Sequence, residues 1–236
     1  MRKKFVFGTM IALLAAVMIL CAKAGRELKK TFAESEEISS GKVTATGGEK
    51  GNRKVVLDAG HGGPDGGKTG VNGAVEKELN LSVAEKIKKL LEKEKIEVIM
   101  TRKDDGWLAE TRIGDLKERV RIMNESDADL AVSIHQNSYH EENVSGAQVF
   151  YYTTSEEGKT AAEILQNALL EVDPENKKRE KSNNTYYILK KTEIPTVIVE
   201  CGFLSNYAEA EKLSDEAYQE KIAQAVVKGI KSFFLK

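Results

Sequence analysis

Val55-Val56-Leu57-Asp58-Ala59-Gly60-His61-Gly62-Gly63 joins a buried strand to a glycine-rich turn. The β-branched and aliphatic run from Lys54 to Asp58, stopped by Gly60, has the composition of a strand buried on both faces, as in a parallel sheet. His61 then stands at the carboxyl end of that strand, where open α/β sheets gather their chemistry. Two further runs repeat the arrangement. Leu130-Ala131-Val132-Ser133-Ile134-His135 again ends in histidine, and Thr196-Val197-Ile198-Val199-Glu200, fixed at its start by Pro195, ends in a carboxylate. Three buried strands deliver His, His and Glu to one edge.

Between them lie longer amphipathic segments. Leu79, Val83, Ile87, Leu90 and Leu91 recur at helical spacing and predict a helix from Glu76 to Lys95, with Glu76 on its first turn. Glu97 to Thr101 reads as the next strand, Trp107 to Asn124 as a helix, and Gly146 to Tyr152 as another strand. Ser155 opens a helix through Leu170, Asp173 to Asn184 is charged and turn-rich, and Tyr186 to Leu189 reads as a short strand. A last helix carries Tyr218, Ile222, Ala225, Val226, Ile230 and Phe233, with Ser214 as its cap. The alternation specifies an α/β fold: one three-layer domain, a largely parallel twisted sheet with helices on both faces, and an active site at the carboxyl ends of the strands.

The 236 residues divide into three parts. Residues 1–24 form a leader, in which Arg2, Lys3 and Lys4 precede an apolar run over residues 5–22 and Ala22-Lys23-Ala24 offers a cleavage site. It reads as an export signal or as an uncleaved amino-terminal membrane anchor, and either way the rest lies outside the cytoplasm. Leu20 stands where lipid attachment at Cys21 would require a small residue. Residues 25–52 are a polar, glycine-bearing linker, and residues 53–236 are the catalytic domain. The 36 basic and 37 acidic residues nearly cancel, so no global field points to nucleic acid as a partner. Cys201 has no partner in the exported part and reads as a small buried thiol.

Gly62-Gly63-Pro64-Asp65-Gly66-Gly67-Lys68-Thr69 fits a phosphate-loop pattern, but Gly70 and Gly73 follow where that loop requires a helix. The glycines instead let the backbone turn sharply around His61. A zinc hydrolase needs about three protein ligands and an open position. His61, Glu76 and His135 meet that count, and they include two of the three histidines in the chain. His140 lies in a polar loop. Glu200 is read as a general base or fourth ligand, against the plainer alternatives of a turn cap or a partner for Arg102. Asp58, before the Gly60 turn, reads as a backbone hydrogen-bonding residue.

At this point the residues resemble a family. Val56 to Gly63, Glu76-Lys77-Glu78-Leu79-Asn80-Leu81, Ser133-Ile134-His135-Gln136-Asn137-Ser138 and Val199-Glu200-Cys201-Gly202-Phe203-Leu204-Ser205-Asn206 look like the four motif blocks of the zinc-dependent N-acetylmuramoyl-L-alanine amidases, in family order. The resemblance implies that His61, Glu76 and His135 bind one zinc ion and that Glu200 is the catalytic carboxylate. It implies cleavage of the amide between the lactyl group of muramic acid and L-alanine in peptidoglycan. Gln136 and Asn137 would line the substrate site, and Gln136 replaces the small residue expected there, tuning the pocket wall without abolishing zinc binding. Division-associated members carry an inserted helix that blocks the zinc. The short stretch from Gly146 to Ser155 has no room for it, and no wall-binding repeats are present. The layout is similar to germination-specific amidases that help make muramic-δ-lactam in the spore cortex. Alternatives are a zinc carboxypeptidase-like hydrolase of stem peptides and a non-catalytic wall-binding module, and an activating or targeting protein partner fits either enzyme.

Overall fold

The computed structural model describes residues 53–236. The leader and linker, with the export and anchoring readings attached to them, lie outside the described residues. Six strands form one sheet in the order β2-β1-β3-β6-β4-β5. They are β1 (Lys54–Ala59), β2 (Glu97–Met100), β3 (Leu130–Asn137), β4 (Gln148–Tyr152), β5 (Lys181–Asn183) and β6 (Thr196–Phe203). Pairing is parallel throughout except between β4 and β6, which run antiparallel. The helices are α1 (Glu76–Lys93), α2 (Arg112–Asn124), α3 (Glu156–Val172), α4 (Tyr187–Lys191), α5 (Tyr207–Ser214) and α6 (Glu216–Phe234).

Alternation along β1 shows why both faces are covered. Val55, Leu57 and Ala59 pack into the larger core with Leu79, Val83 and Ile87 of α1 and with α3 and α6, whereas Val56 packs on the other face against Val120 and Met123 of α2 and Ile188 of α4. The three layers and the largely parallel sheet are those read from the sequence. Three residues join β4 to α3, which leaves no helix between them. Among the described residues no helix is long and apolar enough to cross a membrane.

The differences are local and have physical reasons. Tyr186 to Leu189 is not a strand. Asn183 Oδ1 accepts from the backbone N–H groups of Thr185 and Tyr186 (both 2.8 Å), and this turn starts the short helix α4. The strand of this region is β5, inside the turn-rich stretch, where polar residues pair in parallel with β4 at the edge of the sheet. The helix placed from Trp107 begins only at Arg112, because Thr111 caps it through Gly114 N–H and Asp115 accepts from Leu108 N–H (3.0 Å), holding residues 108–111 outside it. Asp215, not Ser214, caps α6, accepting from Tyr218 N–H (2.8 Å), while Ser214 ends α5.

Candidate active site

The three parallel strands β1, β3 and β6 end at one edge, and registry places His135 opposite Glu200. Directly after this pair the β3–β6 register shifts, so the strand end departs from regular pleating at the site. His61 lies beyond β1, in the left-handed region at φ 63°. Glu76 is the first residue of α1, whose amino terminus favours a carboxylate. These elements enclose a cavity of about 520 Å³ whose walls include His61, Glu76, His135, Glu200, Asn137 and Tyr186.

Two imidazoles converge on one carboxylate oxygen. His61 Nε2 and His135 Nδ1 lie 3.2 and 3.0 Å from Glu76 Oε1, and the ligating atoms of all three residues fall within 4.8 Å of one another. The other nitrogen of His61, Nδ1, faces Asp65 Oδ2 at 3.1 Å, the kind of carboxylate contact that orients a metal-ligating imidazole. Glu76 is fixed by backbone donors, Lys68 N–H on Oε2 (2.8 Å) and Gln136 N–H on Oε1 (3.2 Å). Burial alone would raise its carboxyl pKa, but the two histidines outweigh that and hold it far below the usual range. Burial likewise opposes charge on His135, and its bond to Glu76 raises its pKa on balance. Two nitrogens and one carboxylate oxygen, buried and convergent, are the donor set that a divalent cation such as zinc takes, so these residues fit a metal.

The glycines make the room. A Cβ on Gly60 would stand 2.3 Å from His135 Cε1 and Nε2, and one on Gly67, at φ 71°, would meet Glu76 Oε2 at 2.5 Å. The phosphate-loop reading is excluded because the residues after Thr69 form a bridged turn, and no helix begins between Thr69 and Glu76.

Glu200 is 7% exposed, and its Oε2 is sealed with no hydrogen-bond partner among the described residues. Burial pushes its carboxyl up to about 7; the nearby histidines lower it and Glu76 raises it. Arg102 is not its partner, being committed to the carbonyls of Ala59, Gly60, Lys77 and Asp104. Asp58 bonds side chains rather than backbone: Arg119 and Thr101 reach Oδ1, and Ser133 reaches Oδ2. Gln136 and Asn137 both border the cavity. Gln136 is 3% exposed and donates from Nε2 to Asn80 Oδ1 (3.2 Å), while Asn137 Oδ1 accepts from Ser138 N–H (2.8 Å). His140 is exposed beside Glu141, and Cys201 is a buried thiol, pushed up to about 12 by burial and by Glu200. Asp65, Asp115 and Arg119 escaped the sequence reading, and Arg102 was read only as a partner for Glu200; the acid four residues after His61 and the acid four residues before Arg119 were the available signals.

An α/β domain that gathers two imidazoles and a carboxylate at its strand ends, with a second, unpartnered carboxylate beside them, has the layout of a metal-type hydrolase. Residues 55–232 match the family model for N-acetylmuramoyl-L-alanine amidases, and the chain belongs to that family. The germination-specific N-acetylmuramoyl-L-alanine amidase of Bacillus subtilis is 36% identical over 188 residues, spanning 76% of this chain and 79% of that protein. The CwlD amidase of Clostridioides difficile, solved in complex with the GerS lipoprotein, is 37% identical with a TM-score of 0.75, over 78% of this chain and 99% of that one. The catalytic domain of CwlV, an amidase from Bacillus (Paenibacillus) polymyxa, is 31% identical with a TM-score of 0.69, over 77% of this chain and 98% of that one. The chain is accordingly an enzyme, an N-acetylmuramoyl-L-alanine amidase acting on peptidoglycan.

Proposed function

We propose that His61, Glu76 and His135 hold one zinc ion and that Glu200 is the catalytic carboxylate in hydrolysis of the amide between the muramic acid lactyl group and L-alanine. The observation that carries this reading is the meeting of two imidazole nitrogens on Glu76 Oε1, in the same cavity as the sealed, unpartnered Oε2 of Glu200. A bound zinc ion supplies Lewis acidity toward a carbonyl oxygen and lowers the pKa of water in its coordination sphere. Glu76 and the histidines contribute the ligand atoms, and Asp65 keeps His61 turned so that Nε2 faces inward. Glu200 takes a proton from the attacking water and returns it to the departing L-alanine amine. Gln136 and Asn137 form part of the substrate wall beyond His135.

The substrate is peptidoglycan outside the cytoplasm, and similarity to the germination-specific enzyme of B. subtilis supports the spore cortex as its setting, with muramic-δ-lactam formation as the outcome. Export or membrane attachment through residues 5–22 completes this reading, and the lipoprotein complex of the C. difficile relative supports an activating or targeting protein partner here. Mass spectrometry of purified peptidoglycan digested by the chain, with and without zinc, tests the chemistry. Zinc-dependent release of stem peptides that begin at L-alanine, with free muramic acid carboxyls, is the expected result. Trimmed peptides still attached to glycan would instead identify a carboxypeptidase.

A further inference from the structure

The turn after β1 is held by its carbonyls. That of Ala59 accepts from Arg102 Nε and Arg119 Nη1 (both 2.8 Å), that of Gly60 from Arg102 Nη2 and Asn80 Nδ2 (both 3.1 Å), and that of His61 from Arg119 Nη2 (2.6 Å). Five side-chain donors thus bind three successive carbonyls where the β1–β3 ladder has come to its end, at the bond from Gly60 N–H to the Ile134 carbonyl (3.1 Å). Within this turn His61 takes a positive φ of 63°. Holding a residue with a Cβ there is strained, and the surrounding contacts offset that strain.

We propose that Arg119, with Arg102 bracing the same turn, is a positioning residue that locks His61 in its left-handed conformation and thereby sets the zinc affinity of the His61, Glu76 and His135 cluster. The inference rests on the ligand assignment given above. Arg119 is 1% exposed and is anchored from behind by Asp115 Oδ2 at Nε (2.7 Å) and Asp58 Oδ1 at Nη1 (2.6 Å). With its plane fixed, the two ends of the fork reach carbonyls two residues apart, and the His61 backbone follows. The imidazole of His61 then spans Asp65 and Glu76. Arg102 also donates to the carbonyl of Lys77 (2.7 Å), next to Glu76, so the elements carrying two of the ligands share one brace. A lysine ammonium retains the positive charge beside Asp58 but lacks the planar fork that holds both carbonyls.

Zinc affinity of the full 236-residue chain, measured by competition with a chromophoric chelator, tests this in the unaltered protein and in His61→Ala, Arg119→Lys and Arg102→Lys, each checked for native packing by near-ultraviolet circular dichroism. Arg119→Lys should weaken zinc binding by about 10- to 100-fold, the range for residues that orient ligands, while remaining natively packed. His61→Ala should lose more. Unchanged affinity in His61→Ala would sink the ligand assignment itself. Loss of zinc in His61→Ala with full affinity in natively packed Arg119→Lys would leave the ligands standing and overturn the positioning role. If Arg119→Lys does not fold, Arg102→Lys decides by the same measure: weakened binding supports the brace, and full affinity overturns it.

Discussion

Two charged clusters meet at the carboxyl end of β1, and they differ in whether their polar atoms are satisfied. Behind the strand end, Asp58 accepts from Arg119, Thr101 and Ser133, and every guanidinium nitrogen of Arg119 has a carboxylate or carbonyl partner. In front of it, Glu200 Oε2 is sealed with no partner, and two imidazole nitrogens face a single oxygen of Glu76. Both clusters carry the cost of burying charge. Only the first offsets that cost entirely within the protein, so the first is scaffold and the second retains the capacity to bind and to move protons.

The largest expected effects fall on the unsatisfied cluster and separate its two halves. Glu200→Gln keeps the shape and the three ligand atoms while removing the proton acceptor. It should retain zinc and lose activity by about 10²- to 10⁴-fold, the usual worth of a general acid–base. His135→Ala should lose zinc and activity together, because it removes a ligand. Metal content and the rate of stem-peptide release, measured on the same preparations, check both. Near-full activity in Glu200→Gln would return Glu200 to the scaffold.

The satisfied cluster should respond to acid. Burial would raise the pKa of Asp58, but Arg119 and the hydroxyls of Ser133 and Thr101 outweigh it and lower the value from 3.8 to about 2. A carboxyl whose folded pKa lies below its unfolded value adds stability above the unfolded value, and that stability is lost as pH falls through the folded one. The contribution should be present above about pH 4 and vanish toward about pH 2, and is worth about 2 kcal/mol. Denaturant midpoints across that range should fall more steeply in the unaltered protein than in Asp58→Asn. Parallel slopes would show that Asp58 is not the group that responds.

The same contrast explains what the sequence could reveal. The unsatisfied cluster was legible because each member ends a buried aliphatic run or opens a helix, so His61, Glu76, His135 and Glu200 advertise themselves by local pattern. The scaffold was not. Arg119 reaches Asp58 across 61 positions, and no local periodicity records such a pairing. Asp58 therefore read as a backbone-bonding residue although all its partners are side chains. Helices with long apolar stripes were legible, whereas α4 has five residues, too few for periodicity to separate helix from strand. The edge strand β5, Lys181-Ser182-Asn183, has no apolar face to betray it.

Gln136 stands between the two clusters, and its truncation should have the smallest effect. Its side chain gives Nε2 to Asn80 Oδ1 (3.2 Å), while its Oε1 is buried without a partner. Gln136→Ala removes one hydrogen bond and some packing, but it also removes the orphan oxygen, so the opposing contributions should leave a net loss of about 1 kcal/mol. Zinc affinity should hold, since Glu76 Oε1 is reached by the backbone N–H of residue 136, which alanine retains. Thermal melts and chelator competition on Gln136→Ala separate the two outcomes. A tenfold or greater loss of zinc affinity would mean that the side chain acts through Asn80, whose Nδ2 holds the Gly60 carbonyl, and would move Gln136 from the pocket wall into the brace that sets His61.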